Sequence, residues 1–130
     1  MNNLNYSFNL EINKFAQLNN YNFKNFSKTN FIKSSSSCDK FDYKIDKDIN
    51  IENFDWRNSS YNILTPIKNQ KKCGSCWAFA SVETAESNFA INNNNKLYTF
   101  SPQELVDCVY ENNGCDGGNI ESALVYIINN

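Results

Sequence analysis

A cysteine at the head of a helical pattern constrains this chain more than any other feature. From Cys76 to about Ile91 the apolar residues Trp77, Ala80, Val82, Ala85, Phe89 and Ala90 recur near helical spacing, and the pattern stops at the asparagine run that begins with Asn92. The helix so predicted is largely buried, and it opens on Gly74-Ser75-Cys76. The first N–H groups of a helix have no partner inside it, and its dipole favours negative charge there. That terminus stabilises a thiolate at Cys76, and it can donate to an oxyanion beside it. Gln70, six residues upstream, can bring a side-chain amide to the same point. A sulfur nucleophile beside oxyanion donors suggests acyl transfer.

Two further helices are expected. Ser101, Pro102 and Glu104 supply an N-cap, a proline at the first helical position and the third-position acid of a capping box, ahead of Leu105 and Val106. Ile120, Ala123, Leu124, Ile127 and Ile128 fall on one face of the last segment, which Gly117 and Gly118 precede. Upstream, Lys33 to Lys40 (KSSSSCDK) is polar and without periodicity, and reads as a solvated linker. Phe8, Leu10, Ile12, Phe15, Leu18, Phe23 and Phe26 recur too sparsely and irregularly to build a core by themselves. The abundant asparagines, Asn92 to Asn95 among them, are assigned no function.

Charge and cysteine content narrow the function. The formal charge of −2 comes from 12 basic and 14 acidic residues, so no basic field points to nucleic acid, and no apolar run is long enough to span a membrane. Residues 1–10 lack the basic and apolar regions of a signal peptide. The 130 residues hold five cysteines and no histidine, so a mechanism that needs an imidazole cannot be completed within them. Cys73-x-x-Cys76 is also a dithiol spacing, which keeps open a redox module, or a zinc module with Cys108 and Cys115 as the second pair. Against these stand the absence of a βαβ pattern before the pair and the unusual gap of the second.

Read as motifs, the chain resembles the papain-like (cathepsin-type) cysteine peptidases. CGSCW at Cys73 to Trp77 is a local signature of that family. FDWR (Phe54 to Arg57), LTPIKNQ (Leu64 to Gln70), SPQELVDC (Ser101 to Cys108) and NGCDGG (Asn113 to Gly118) stand around it in the family's order and at about its spacing. INKFAQL (Ile12 to Leu18), followed by NFKNF, resembles the end of the family's inhibitory propeptide, with Glu11 and Gln17 where a glycine and an acid are usual. The resemblance implies an α+β papain-like fold of which only the mainly helical left half is present. Residues 1–32 would be a propeptide-like remnant, 33–49 a polar linker and activation region, and 50–130 the amino-terminal half of the peptidase domain.

Residue by residue, the resemblance implies that Cys76 is the nucleophile and Gln70 the oxyanion donor beside the Cys76 N–H. Gly117 and Gly118 would line the cleft and hydrogen-bond the substrate backbone, where a side chain would block an extended peptide. Trp77 would be core, and Asn119 and Ile120 would stand where the main specificity pocket begins. Cys73 would pair with Cys115, a bond worth roughly 4 kcal/mol on the chain-entropy model. Cys108 matches a cysteine whose partner lies further along, and Cys38 matches nothing. No cofactor or metal is implied.

The family's histidine and asparagine are expected roughly 130 to 150 positions beyond the nucleophile, and the chain ends at Asn130. This half alone is therefore expected to be inactive, the chain to be shortened at both ends, and the face toward the missing domain to be exposed. Expected partners are a protein or peptide substrate and a separate chain carrying the histidine and asparagine half. The alternative is a non-catalytic inhibitor or decoy of a related peptidase. A disulfide implies the secretory route, lysosomal or extracellular, along which the N-x-S sequons at Asn5, Asn25 and Asn58 can be glycosylated. Mass spectrometry of the disulfides is expected to find Cys73 joined to Cys115; a Cys73–Cys76 bond, or bound zinc, would favour the dithiol reading.

Overall fold

The computed structural model describes residues 11–19, 22 and 54–130. The linker expected over 33–49, Cys38, the apolar residues Phe8, Leu10, Phe23 and Phe26, and the sequons at Asn5 and Asn25 lie outside these residues. Regular structure among the described residues is helical: α1 spans Cys76–Asn92, α2 Pro102–Cys108 and α3 Ile120–Asn129, with 3-10 turns at Trp56–Asn58 and Gly114–Asp116. This is the helical half of the expected fold. INKFAQL forms a turn in which Asn13 Oδ1 accepts from the Phe15 N–H at 2.9 Å.

Helix α1 packs against both α2 and α3. The shared core holds Trp77, Ala78, Val82, Leu105, Val109 and Ala123, flanked by Val106, Tyr126 and Ile127. Ala78 and Ala123 are wholly buried, and small side chains at a crossing let two helices approach closely. Helix α2 starts as its sequence requires, with Pro102 in the first turn and Ser101 Oγ accepting from the Glu104 N–H at 3.4 Å. The Tyr126 hydroxyl donates to Glu104 Oε1 at 3.4 Å, tying α3 to α2. Only part of the apolar face expected on α3 meets the core, since Ile120 and Ile128 are exposed.

The asparagine run after α1 has a backbone role. Asn94 and Asn95 sit at φ of 54° and 59°, the left-handed region in which asparagine is among the few tolerated side chains. The Asn95 N–H closes back on the Ala90 carbonyl at 2.9 Å.

The buried face of α1 differs from its apolar pattern. Ala80 and Phe89 are exposed, while Ser81 and Glu86 are buried. Ser81 Oγ donates to the Trp77 carbonyl one turn back, at 2.7 Å. Glu86 is 1% exposed, and each of its oxygens is used. Oε1 accepts from the Phe100 N–H at 2.7 Å, and Oε2 accepts from Thr65 Oγ1 at 2.5 Å and Lys68 Nζ at 2.6 Å. Lys68 Nζ also donates to Thr65 Oγ1, at 2.7 Å. A buried carboxylate costs several kcal/mol in lost hydration unless it is paired and hydrogen-bonded, and here both conditions hold. Glu86 thereby fastens the 64–70 segment and the strap before α2 to the middle of α1.

Removing either charge strands the other. Lys68→Met leaves a fully buried carboxylate and is expected to lower the unfolding free energy by about 3–5 kcal/mol. Glu86→Gln is expected to cost less, because Lys68 keeps some exposure and Glu83 lies 3.8 Å away. Urea denaturation of the two single variants and the double variant checks this, the double variant being expected to cost less than the two single costs added together.

Candidate active site

The structure brings Gln70 and Cys76 onto one open groove of about 380 Å³, whose walls include Leu64, Ile67, Phe79 and Glu83. Cys76 is a free, exposed thiol on the first residue of α1. Ser75 precedes it as the N-cap without a side-chain capping bond, so the first N–H groups of the helix are not taken up by that hydroxyl. The lining mixes apolar and polar side chains, and Ile67 is fully exposed.

Gln70 is positioned by its own loop. Its Nε2 donates to the Cys73 carbonyl at 2.9 Å. A carboxamide nitrogen carries two hydrogens, so one anchors the side chain and the other remains for an acceptor in the groove. The loop is held in turn by Lys71 at φ 57°, by the Lys71 N–H donating to Asn69 Oδ1 at 2.8 Å, and by the bond from Lys68 to Glu86.

Cys73 is joined to Cys115, 42 positions away, and the Gly74 N–H donates to the Cys115 carbonyl at 2.8 Å. Cys73 is therefore not available to Cys76 as a dithiol partner. Cys108 is a half-buried free thiol. No cluster of three or more potential metal ligands occurs among the described residues.

The walls of this particular groove do not include Gly117 or Gly118, and Gly118 packs against Asn112 and Trp77. Gly117 has φ 116°, a backbone conformation that L side chains rarely adopt. A Cβ on Gly118 would fall 2.6 Å from Asn112 Cγ and 2.8 Å from Trp77 Cδ2. The absent side chain of Gly118 thus makes room for the protein's own interior, a reason separate from any approach of substrate. Trp77 is 2% exposed, and its Nε1 donates to the Gly114 carbonyl at 3.1 Å. The residue next to Cys76 therefore supports the glycine loop directly. Asn119 serves α3 as its N-cap, accepting from the Glu121 N–H at 2.8 Å.

Two residues that matter here were absent from the sequence reading. Glu86 had a detectable signal, since it interrupts the row Ala78, Val82, Ala90 at four-residue spacing with a charge. Asn112, buried beneath Gly118, had none, because one asparagine among many in a loop carries no pattern.

Residues 51–130 match a family model described as papain family cysteine protease. Falcipain-2a of Plasmodium falciparum is 43% identical over 138 aligned positions, which take in 95% of this chain and 27% of that protein. Mexicain of Jacaratia mexicana is 46% identical over 81 positions, 61% of this chain and 36% of mexicain. Among solved structures, the proform of the ragweed pollen cysteine protease Amb a 11 superposes with a TM-score of 0.73 at 38% identity, covering 92% of this chain and 38% of that one. The chain thus spans about a quarter to two fifths of the length of these proteins.

Gly118→Ala is expected to destabilise the chain by about 1–3 kcal/mol through overpacking against Asn112 and Trp77. Cys115→Ser is expected to cost roughly 4 kcal/mol through the lost cross-link. Both are read from the urea midpoint, and an unchanged midpoint for Gly118→Ala would show that its side-chain position is open.

Proposed function

Because the chain belongs to the papain family of cysteine peptidases, we propose that residues 50–130 form the nucleophile-bearing wall of a cysteine endopeptidase acting on protein or peptide substrates. Residues 1–32 would be a propeptide remnant and 33–49 the activation linker. One observation carries this reading: Gln70 and the free thiol of Cys76 share a groove, with one hydrogen of the Gln70 amide anchored and the second left over.

In the proposed reaction the Cys76 thiolate adds to the scissile carbonyl carbon. The electron pair displaced onto oxygen is met by the second Gln70 N–H and the Cys76 backbone N–H. Collapse restores the carbonyl and breaks the C–N bond. The nitrogen takes a proton and leaves as an amine, and the acyl group stays on Sγ as a thioester. Water then adds to the thioester, releasing the carboxylic acid and the thiol. Gly117 and Gly118 hold the extended substrate backbone.

The proton carrier is not among these 130 residues, which hold no histidine. A helix N-terminus alone offers an anion only about 0.3–1 kcal/mol. The imidazole that holds the thiolate and protonates the amine, and the asparagine that orients it, are assigned to a second half supplied from outside them. The disulfide supports placement on the secretory route, lysosomal or extracellular.

The isolated chain is expected to hydrolyse no peptide and to react slowly with a peptidyl epoxide. Combined with the histidine-bearing half of a papain-family relative, it is expected to gain hydrolysis that Cys76→Ala abolishes and Gln70→Ala lowers by about 10²–10³. Rapid, selective epoxide labelling of Cys76 in the isolated chain would overturn the need for an external imidazole. Hydrolysis that survives Cys76→Ala would overturn the proposed nucleophile.

A further inference from the structure

We infer that Asn112 is a positioning residue for peptide binding, its carboxamide standing in for a neighbouring strand and turning the backbone edge of Gly118 outward. The inference rests on the proposed role of the glycine loop in holding substrate. Asn112 is buried, 8% exposed. Its Nδ2 donates to the Asn119 carbonyl at 3.0 Å, and its Oδ1 accepts from the Asn119 N–H at 2.8 Å. One side chain thus makes the reciprocal pair of bonds that a β-strand partner would make. The amide's orientation is fixed by its partners, because an N–H can only donate and a carbonyl can only accept.

The direction of Gly118 follows from the alternation of extended backbone. The Gly117 carbonyl accepts from the Asn113 N–H at 2.9 Å, and both backbone groups of Asn119 pair with Asn112. The Gly117 carbonyl and both backbone groups of Asn119 are therefore spent on the 112–113 side, and Asn119 is extended at φ −110°, ψ 134°. Along an extended segment, successive residues point their N–H and C=O to opposite edges. Gly118 accordingly faces the other way, and its N–H and C=O make no hydrogen bond among the described residues. Its missing Cβ is occupied by Asn112 Cγ and the Trp77 ring, so the clamp fixes its rotation as well as its edge. The edge left open is a donor and an acceptor on one residue, the set that an extended peptide backbone pairs with.

The test uses the full 130-residue chain, nitrogen-15 labelled, titrated with the blocked tripeptide acetyl-Ala-Phe-Ala-amide. The Gly118 amide shift reads binding, and the rate of Cys76 alkylation by iodoacetamide serves as a control for the helix terminus. Asn112→Ala is expected to weaken peptide binding about tenfold while alkylation stays within about twofold. In Asn112→Asp, which keeps the shape but sets an acceptor oxygen in place of Nδ2 against the Asn119 carbonyl, binding is expected to fall similarly and to recover on acidification, when the protonated carboxyl can donate again. Equal affinity in the wild type and both variants overturns the inference and leaves the glycine loop's role standing. A wild-type Gly118 amide that the peptide does not move overturns that role, and the inference with it. If Asn112→Ala loses a dispersed spectrum, the pH-dependent recovery of Asn112→Asp decides, and its failure overturns the inference.

Discussion

The architecture turns on one buried negative charge. Glu86 sits in the middle of α1 with no exposure to speak of, and it meets a threonine hydroxyl, a lysine ammonium and a backbone N–H from two other segments. A charge in that position is tolerated only when all of its partners arrive together. In the 64–70 segment Leu64 and Ile67 are exposed, while Thr65 and Lys68 face the carboxylate and tie the segment to α1. The placement of Gln70 is thus tied to a glutamate ten residues beyond Cys76.

Around Cys76 the same logic recurs at shorter range. The disulfide and the Gly74 to Cys115 bond join the loop before α1 to the loop before α3. Trp77 fills the space between those loops and reaches the Gly114 carbonyl. The Cys73 carbonyl orients Gln70, so the residue that cross-links the loop also aims its amide. A thiol on the first turn of a rigid helix is held in place by supports of this kind, and small displacements of a reacting group carry large costs in rate.

Much of this was legible along the chain. The start of α1 at Cys76, its end at the asparagine run and the Ser101-Pro102 start of α2 follow from short-range rules of periodicity and capping, which act within a turn or two of helix. The pairing of Cys73 with Cys115 was available only through resemblance, because four or five cysteines admit several connectivities and spacing does not choose among them. Gly118 was assigned to the cleft on the same ground, and the structure adds an internal cause, the close approach of Asn112 and Trp77. The expectation that Ala80 and Phe89 lie on the buried face failed. The hydroxyl of Ser81 and the carboxylate of Glu86 are satisfied inside, and polar groups with partners can take positions that a hydrophobicity pattern reserves for apolar ones.

By itself the sequence determined where α1 starts and stops, where α2 starts, and the family, because each of these is written in residues close together along the chain. Only the tertiary structure decided that Glu86 would be a buried anchor, that Gln70 would turn one hydrogen into its own loop, and that a single asparagine would clamp the segment carrying Gly118. Those outcomes depend on groups far apart in sequence reaching hydrogen-bond distance in a space from which water is excluded. Neither periodicity nor composition encodes that distance, so the same residue types read alike along the chain and become distinct only when the chain closes around them.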